Sequence, residues 1–336
     1  MSSDVPTSPD ESCTLATCPI EFSYSAGYQP TFLGNLVYAI VFAVCLIGHL
    51  VSVARHRTWG FTAAFVCGLI LEICGYTGRM LMHYNPFKEA NFMLYLVPLT
   101  IAPAFLTAAI YLCLARIVVL YNTERAVEVS RLKPGTYTVV FVVCDFVSLL
   151  LQAAGGAIAS MADTKSLEDT GINIMIAGLA FQVASMTLFI GLAGEIGWRI
   201  RTAAKLEKGG DGDVSNSVLF KRFLIGTVSP FPPPNRALLH PTFPPLTLAS
   251  HTAMVIATIC IYIRCVYRVA ELSGGFNGKL ANQQETFMTL EGLMMVLAVI
   301  ALTIYSPGRS FQGKWAQMNF SFRHGSKAQG RAGTEV

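Results

Sequence analysis

The sequence predicts an all-α integral membrane protein, a bundle of seven transmembrane helices with the N-terminus outside and the C-terminus in the cytoplasm. Three observations predict it. Of the 336 residues, 53% are hydrophobic and 13% charged, against about 25% charged in an ordinary soluble domain. Long apolar runs recur along the chain, and the mean hydropathy is +0.52. Lys and Arg gather in alternate connections between those runs.

The runs cover 31–53, 61–82, 92–115, 137–159, 172–196, 246–263 and 287–305. Each meets or approaches the length of about 20 residues that a helix needs to cross hydrocarbon. Backbone N–H and C=O groups in lipid must be bonded internally, so only helices or closed barrels cross. These runs are too long and too uniformly apolar for barrel strands. Orientation follows from the basic residues. Eighteen Lys and Arg fall in the first, third and fifth connections and the C-terminal tail, against five on the other side. The richer side is cytoplasmic. Residues 1–30 then form an extracellular tail, 31–306 the membrane domain and 307–336 a basic cytoplasmic tail. The first 21 residues hold Asp4, Asp10, Glu11 and Glu21 with no Lys or Arg, so no cleavable signal peptide is expected and the first span acts as the targeting signal. The basic cytoplasmic loops suit anionic lipid headgroups. Membrane lipids are the expected partners, and no nucleic acid is expected.

Seven of the nine cysteines, Cys45, Cys67, Cys74, Cys113, Cys144, Cys260 and Cys265, lie in or beside apolar runs and read as small core residues. Cys13 and Cys18 lie in the outer tail, where an oxidising environment permits but does not require a disulfide. The segment 226–250 carries seven prolines just before the sixth run. Two readings stand: a polyproline-like loop, or a retained intron translated in frame. Joining 218–225 to 254–263 restores an apolar span without it.

The polar residues inside the runs carry the functional signal. An ionisable group at a helix centre costs roughly 2.5–3.5 kcal/mol on insertion scales, so such groups face the bundle interior. Glu72, Tyr76 and Arg79 follow i, i+4, i+7 and share one face of the second helix. Asp145 and Gln152 repeat the i, i+7 spacing in the fourth. Gln182 lies deep in the fifth. Arg264, Arg268 and Glu271 follow i, i+4, i+7 at the outer end of the sixth, Glu285 and Glu291 flank the start of the seventh, and Asn35 and His49 bracket the first. One reading is a structural network that fixes helix register; the other is a polar site for an amphiphile headgroup. Gly75, Gly78, Gly155, Gly156, Gly191 and Gly194 suggest close helix contacts, and Pro98 and Pro103 a bend in the third helix that opens backbone carbonyls.

There is no GxSxG, HExxH or P-loop, and the six histidines do not cluster. No cofactor or metal is expected. The seventh run has no lysine, which excludes a retinal Schiff base there. The third helix ends Ala115-Arg116-Ile117 rather than in an Asp/Glu-Arg-Tyr, and the seventh lacks Asn-Pro-x-x-Tyr. Both lower the reading as a G-protein-coupled receptor. An intramembrane enzyme lacks a nucleophile or metal set to accompany its carboxylates.

The order of these pieces resembles the fungal RTA-like proteins, also called the lipid-translocating exporter family. The resemblance rests on YQP at 28–30 with Asn35, His49, LEICGYTGR at 71–79, APAFLTAAIYLCLAR at 102–116 and DFVSLLLQAAGG at 145–156. It extends through GLAFQ at 178–182, IRCVYRVAELSGG at 263–275, and Glu285 with Pro307. The chain departs from the family at Glu291, where an aspartate is usual, at Ser306, where a histidine is usual, and in the Pro-rich block. The resemblance implies a plasma-membrane translocator or exporter of lipid amphiphiles such as sphingoid long-chain bases, conferring resistance to toxic amphiphiles and expressed under stress. The alternative it leaves is a seven-helix receptor or sensor that regulates lipid asymmetry or the stress response. In the first reading Glu72, Asp145 and Glu271 offer carboxylates to an ammonium head.

Overall fold

A computed structural model of the chain describes residues 13–15, 17–20, 23, 28–56, 59–125, 134–162, 164–208, 245–274 and 283–304. The helices are α1 (Phe32–His56), α2 (Trp59–Tyr84), α3 (Glu89–Arg125), α4 (Pro134–Ser160), α5 (Lys165–Lys208), α6 (Pro245–Ser273) and α7 (Gln284–Ile304). No strand occurs among the described residues. All seven helices are long and apolar enough to cross a membrane. The chain is a multi-pass membrane protein, and the described residues hold the seven spans predicted.

Packing closes the helices into a ring. Each packs on its neighbour in sequence, α7 returns to α1, and α3 reaches across to α6. The central position of α3 shows in its burial: 56% of its apolar window is inside, against 28% for α4. The outward faces are apolar. Val37, Ile40, Val44, Ile47 and Val51 stand exposed along α1 at three- and four-residue intervals, and Val139, Val143, Phe146 and Leu150 do so along α4. In water such stripes are a liability; in a bilayer they face lipid tails.

The sixth span lies further along the chain than its apolar run suggests. Its membrane-crossing part is Ala253–Ser273, so Arg264, Arg268 and Glu271 sit inside the helix and not beyond its outer end. Hydropathy ends the run at 263 because it penalises each arginine, whereas arginines paired in the interior let the helix continue. The span needs neither 218–225 nor 246–252. Residues 209–244, which include 226–244 of the Pro-rich segment, and the basic tail from 305 onward lie outside the described residues. In the N-terminal segment Cys13 and Cys18 form a disulfide.

Two backbone irregularities bear on the interior. The helix α3 runs unbroken through Pro98 and Pro103. A proline has no N–H to give the carbonyl four residues earlier, so Pro103 frees the carbonyl of Leu99. In α7, Met288–Leu293 forms a π-turn, and there Tyr38 of α1 donates its hydroxyl to the Met288 carbonyl at 2.8 Å. Gly292 within that turn lies so close to the Tyr38 ring that a Cβ would collide with it.

Glycine sets the tightest helix contacts. A Cβ on Gly78 would come within 2.5 Å of the Tyr95 backbone nitrogen, and one on Gly155 within 2.5 Å of that of Met175. Gly191 and Gly194, also expected at contacts, have nothing within 4 Å of such a Cβ. Their spacing is a common feature of transmembrane helices and carries no packing role here. Backbone cannot step aside as a side chain can, so Gly78→Ala forces α2 away from α3. We expect a loss of about 1–3 kcal/mol, read as a lower unfolding temperature of the detergent-solubilised protein. Gly191→Ala should change it by no more than about 0.5 kcal/mol.

Candidate functional site

The spacing Glu72, Tyr76, Arg79 does place all three on one inward face of α2: their residues are 0%, 0% and 2% exposed. Facing them from α6 and α7 are Arg264 and Glu291. Arg264 is the largest fully buried side chain of the core. Its Nη2 donates to Glu291 Oε1 at 2.9 Å and to the Leu99 carbonyl at 2.5 Å. That carbonyl is the one Pro103 releases, so a proline in α3 creates the acceptor that holds an arginine of α6.

One turn further along α6, Arg268 pairs with Glu271 at 2.6 Å and lies 3.7 Å from Glu291 Oε2. Glu291 thus serves two arginines on adjacent turns of one helix. Arg79 is held differently. Its Nη2 donates to the Tyr28 hydroxyl at 2.9 Å, and its guanidinium lies 3.8 Å from the Phe287 ring centre, 4.9 Å from that of Tyr95 and 5.9 Å from that of Tyr28. Three aromatic faces replace a carboxylate partner, an arrangement that stabilises a desolvated cation.

Glu72 stands out from its neighbours. It interacts electrostatically with Arg264 and Glu291, yet among the described residues neither of its oxygens has a hydrogen-bond partner, and neither does the Tyr76 hydroxyl one turn away. Arg264 has turned to Glu291 and Leu99 instead.

The remaining candidate residues fall into separate groups. Asp145 of α4 is buried, and its Oδ2 accepts from Thr107 at 2.9 Å and Tyr111 at 3.1 Å, both on α3. Gln152 donates to Ser148 at 2.7 Å and to Gln182 of α5 at 3.2 Å, while Ser148 donates to the Gly178 carbonyl at 2.9 Å. These contacts join α4 to α3 and α5. Glu285 is exposed at the start of α7 and joins none of the groups. Asn35 donates to the Thr31 carbonyl, and His49 meets Thr303 at 3.1 Å, so both tie α1 to itself or to α7. Among the described residues no group of His, Cys, Asp and Glu is placed to hold a metal ion.

Among the described residues the interior therefore holds a charged cluster of Glu72, Arg79, Arg264, Arg268, Glu271 and Glu291, drawn from α2, α6 and α7. Glu291 belongs to this cluster although the sequence pattern places it only at the flank of the seventh run. Its signal was a lone carboxylate in the apolar run MTLEGLMMVL. Tyr28, Tyr95 and Phe287 carried no signal beyond being aromatic.

The profile of the RTA1 like protein family matches residues 65–314, a stretch that contains every charged member of the cluster. The chain belongs to the RTA1-like family. It is 33% identical over 314 residues to the sphingoid long-chain base transporter RSB1 of Saccharomyces cerevisiae strain YJM789, covering 90% of this chain and 78% of that one. Among other yeast relatives, protoporphyrin uptake protein 1 is 26% identical over 242 residues, covering 72% of this chain and 67% of its own length. Protein RTM1 is 26% identical over 239 residues, with 71% and 65% covered. No solved structure matches the chain. Of the departures from the RTA1-like pattern expected from sequence, Glu291 has a structural meaning: in this chain a glutamate at that place meets Arg264 and Arg268 together.

Removing Glu291 leaves Arg264 buried without its carboxylate. Glu291→Ala should cost about 3–5 kcal/mol. The double variant Arg264→Met/Glu291→Met removes both charges and leaves chiefly the Leu99 carbonyl unsatisfied, a cost of about 1–3 kcal/mol. Thermal unfolding in detergent should accordingly place the double variant above the single one.

Proposed function

We propose that this RTA1-like protein moves sphingoid long-chain bases, or closely similar cationic amphiphiles, across the plasma membrane, and that it confers resistance to them. The observation that carries this reading is Glu72: a carboxylate in the middle of the bundle with neither oxygen engaged. A long-chain base brings an ammonium head and one apolar tail. The head meets Glu72, with Glu271 and Glu291 beside it, and the tail lies along apolar helix surface. The likeness to RSB1 over nine-tenths of the chain supports the same cargo class.

The other residues take supporting roles in this reading. Arg264 and Arg268 hold Glu291 and Glu271 in place. Tyr76 offers a hydroxyl to the head group, and Arg79 fixes the aromatic wall of Tyr28, Tyr95 and Phe287. Asp145 presents a second carboxylate on the α4 side. Gln152 and Gln182 keep α4 and α5 in register. Glu285 stands at the outer entrance, with the N-terminus outside and the C-terminus in the cytoplasm. The reaction needs no covalent step, so the protein acts as a carrier and not as an enzyme.

Purified protein in vesicles tests the reading. Phytosphingosine should cross faster in vesicles with the protein than in empty ones. Glu72→Gln should weaken its apparent affinity, because a hydrogen bond to a charged group contributes about 1.5–3 kcal/mol, which is about tenfold or more. Equal crossing rates with and without the wild-type protein would dismiss the carrier reading.

A further inference from the structure

The charges of the interior cluster can be assigned pair by pair. Arg264 is taken by Glu291 and the Leu99 carbonyl, and Arg268 by Glu271 and Glu291. Arg79 is taken by Tyr28 and its aromatic walls. No hydrogen bond from a cation of the cluster reaches Glu72, although Arg264, whose Nε has no hydrogen-bond partner among the described residues, acts on it electrostatically. The groups that face it are Tyr76 and Arg79 on its own helix, Arg264 from α6 and Glu291 from α7. From α1 comes Tyr38, whose ring packs edge-on against Tyr76 at 5.3 Å, and α3 brings Leu99 against Gly75 and Tyr95 against Arg79. Of these, Glu291 is an anion that repels a second one. Arg264 is the cation nearest in influence, and its hydrogen bonds go elsewhere.

An ionised carboxylate buried in this way, with neither oxygen hydrogen-bonded, carries a desolvation cost of several kcal/mol. The neutral acid avoids most of it. We propose that Glu72, with the Tyr76 hydroxyl beside it, is a proton-binding site: the carboxyl holds a proton when no cargo is bound and yields it when a cationic head arrives. This rests on the cargo proposed above. The step balances simply. The Glu72 carboxylic acid loses its proton to water, the resulting carboxylate pairs with the incoming ammonium, and the net charge at the site stays at zero. One proton leaves for each cation that enters, so cargo movement and proton movement are tied in opposite directions.

The exchange explains a feature that substrate binding alone does not. A permanently ionised acceptor would draw Arg264 to itself and become a third structural ion pair. A neutral acid leaves Arg264 with Glu291 and stays available. The site is then kept open by its proton.

The test uses the full-length protein in lipid vesicles and infrared difference spectroscopy. A protonated carboxyl gives a C=O stretching band that shifts in heavy water. We expect such a band in the wild type near neutral pH and its loss in Glu72→Gln, whose amide keeps the side-chain volume. Glu72→Asp, which keeps the acid, should retain a band. Saturating phytosphingosine, at a pH where its amine is charged, should abolish the wild-type band and release about one proton per bound base into weakly buffered medium. An ionised Glu72, whether bare or holding an alkali cation, gives no band and overturns the proposal. A band that persists at saturation overturns it as well. If labelled phytosphingosine does not bind at all, the cargo reading fails and the exchange fails with it, while the band still reports whether Glu72 carries its proton.

Discussion

The interior depends on one guanidinium. Arg264 is buried at the centre of the bundle, and its Nη2 joins three helices: it belongs to α6, bonds a backbone carbonyl of α3 and pairs with Glu291 of α7. The reason such a costly group persists is local. Pro103 removes the intrahelical donor of the Leu99 carbonyl, and a carbonyl inside a membrane bundle must find another donor. Each irregularity therefore creates a demand that a side chain meets. The π-turn of α7 follows the same rule, with Tyr38 bonded to the Met288 carbonyl. Sealing these two breaks fixes how α1, α3, α6 and α7 stand around α2, and so fixes what surrounds Glu72.

How much of this was legible in the sequence depended on whether a single helical period held. On α2 it held: Glu72, Tyr76 and Arg79 at i, i+4, i+7 share the inward face as read. The seven spans were legible because length and hydropathy respond to burial in lipid. On α6 the same index misled, ending the span at 263 because paired arginines count as if they were solvated. On α7 the period itself changes. Glu285 and Glu291 are six residues apart, which matches no simple helical repeat, and the π-turn between Met288 and Leu293 sets their separate fates: one exposed, the other fully buried. A π-turn leaves no composition signal, so Glu291 could not be ranked above Glu285 from the sequence. The aromatic walls of Arg79 were equally hidden, since Tyr28, Tyr95 and Phe287 come from three distant segments. Asp145, Gln152 and Gln182 looked like parts of one set by residue type. The structure separates them because α4 meets α3 and α5, and α2 lies on the other side of α3.

The two classes of polar residue also differ in what they bond. The amide and hydroxyl groups of Ser148, Gln152 and Gln182 bond one another and the backbone, with Gln152 Oε1 left open, which is what register-fixing contacts do. The charged cluster is uneven. Arg268 and Glu271 are tightly matched at 2.6 Å, whereas neither oxygen of Glu72 has a hydrogen-bond partner among the described residues. Helix association alone gives no reason to keep such a group, because an apolar side chain of the same volume would pack there at lower cost. A residue that weakens the resting structure has its reason in another state of the protein. In the proposed exchange Glu72 gains its hydrogen-bonded partner when a cationic head reaches the middle of the bundle, while the hydrogen bonds of the surrounding arginines go to Glu291, Leu99, Glu271 and Tyr28.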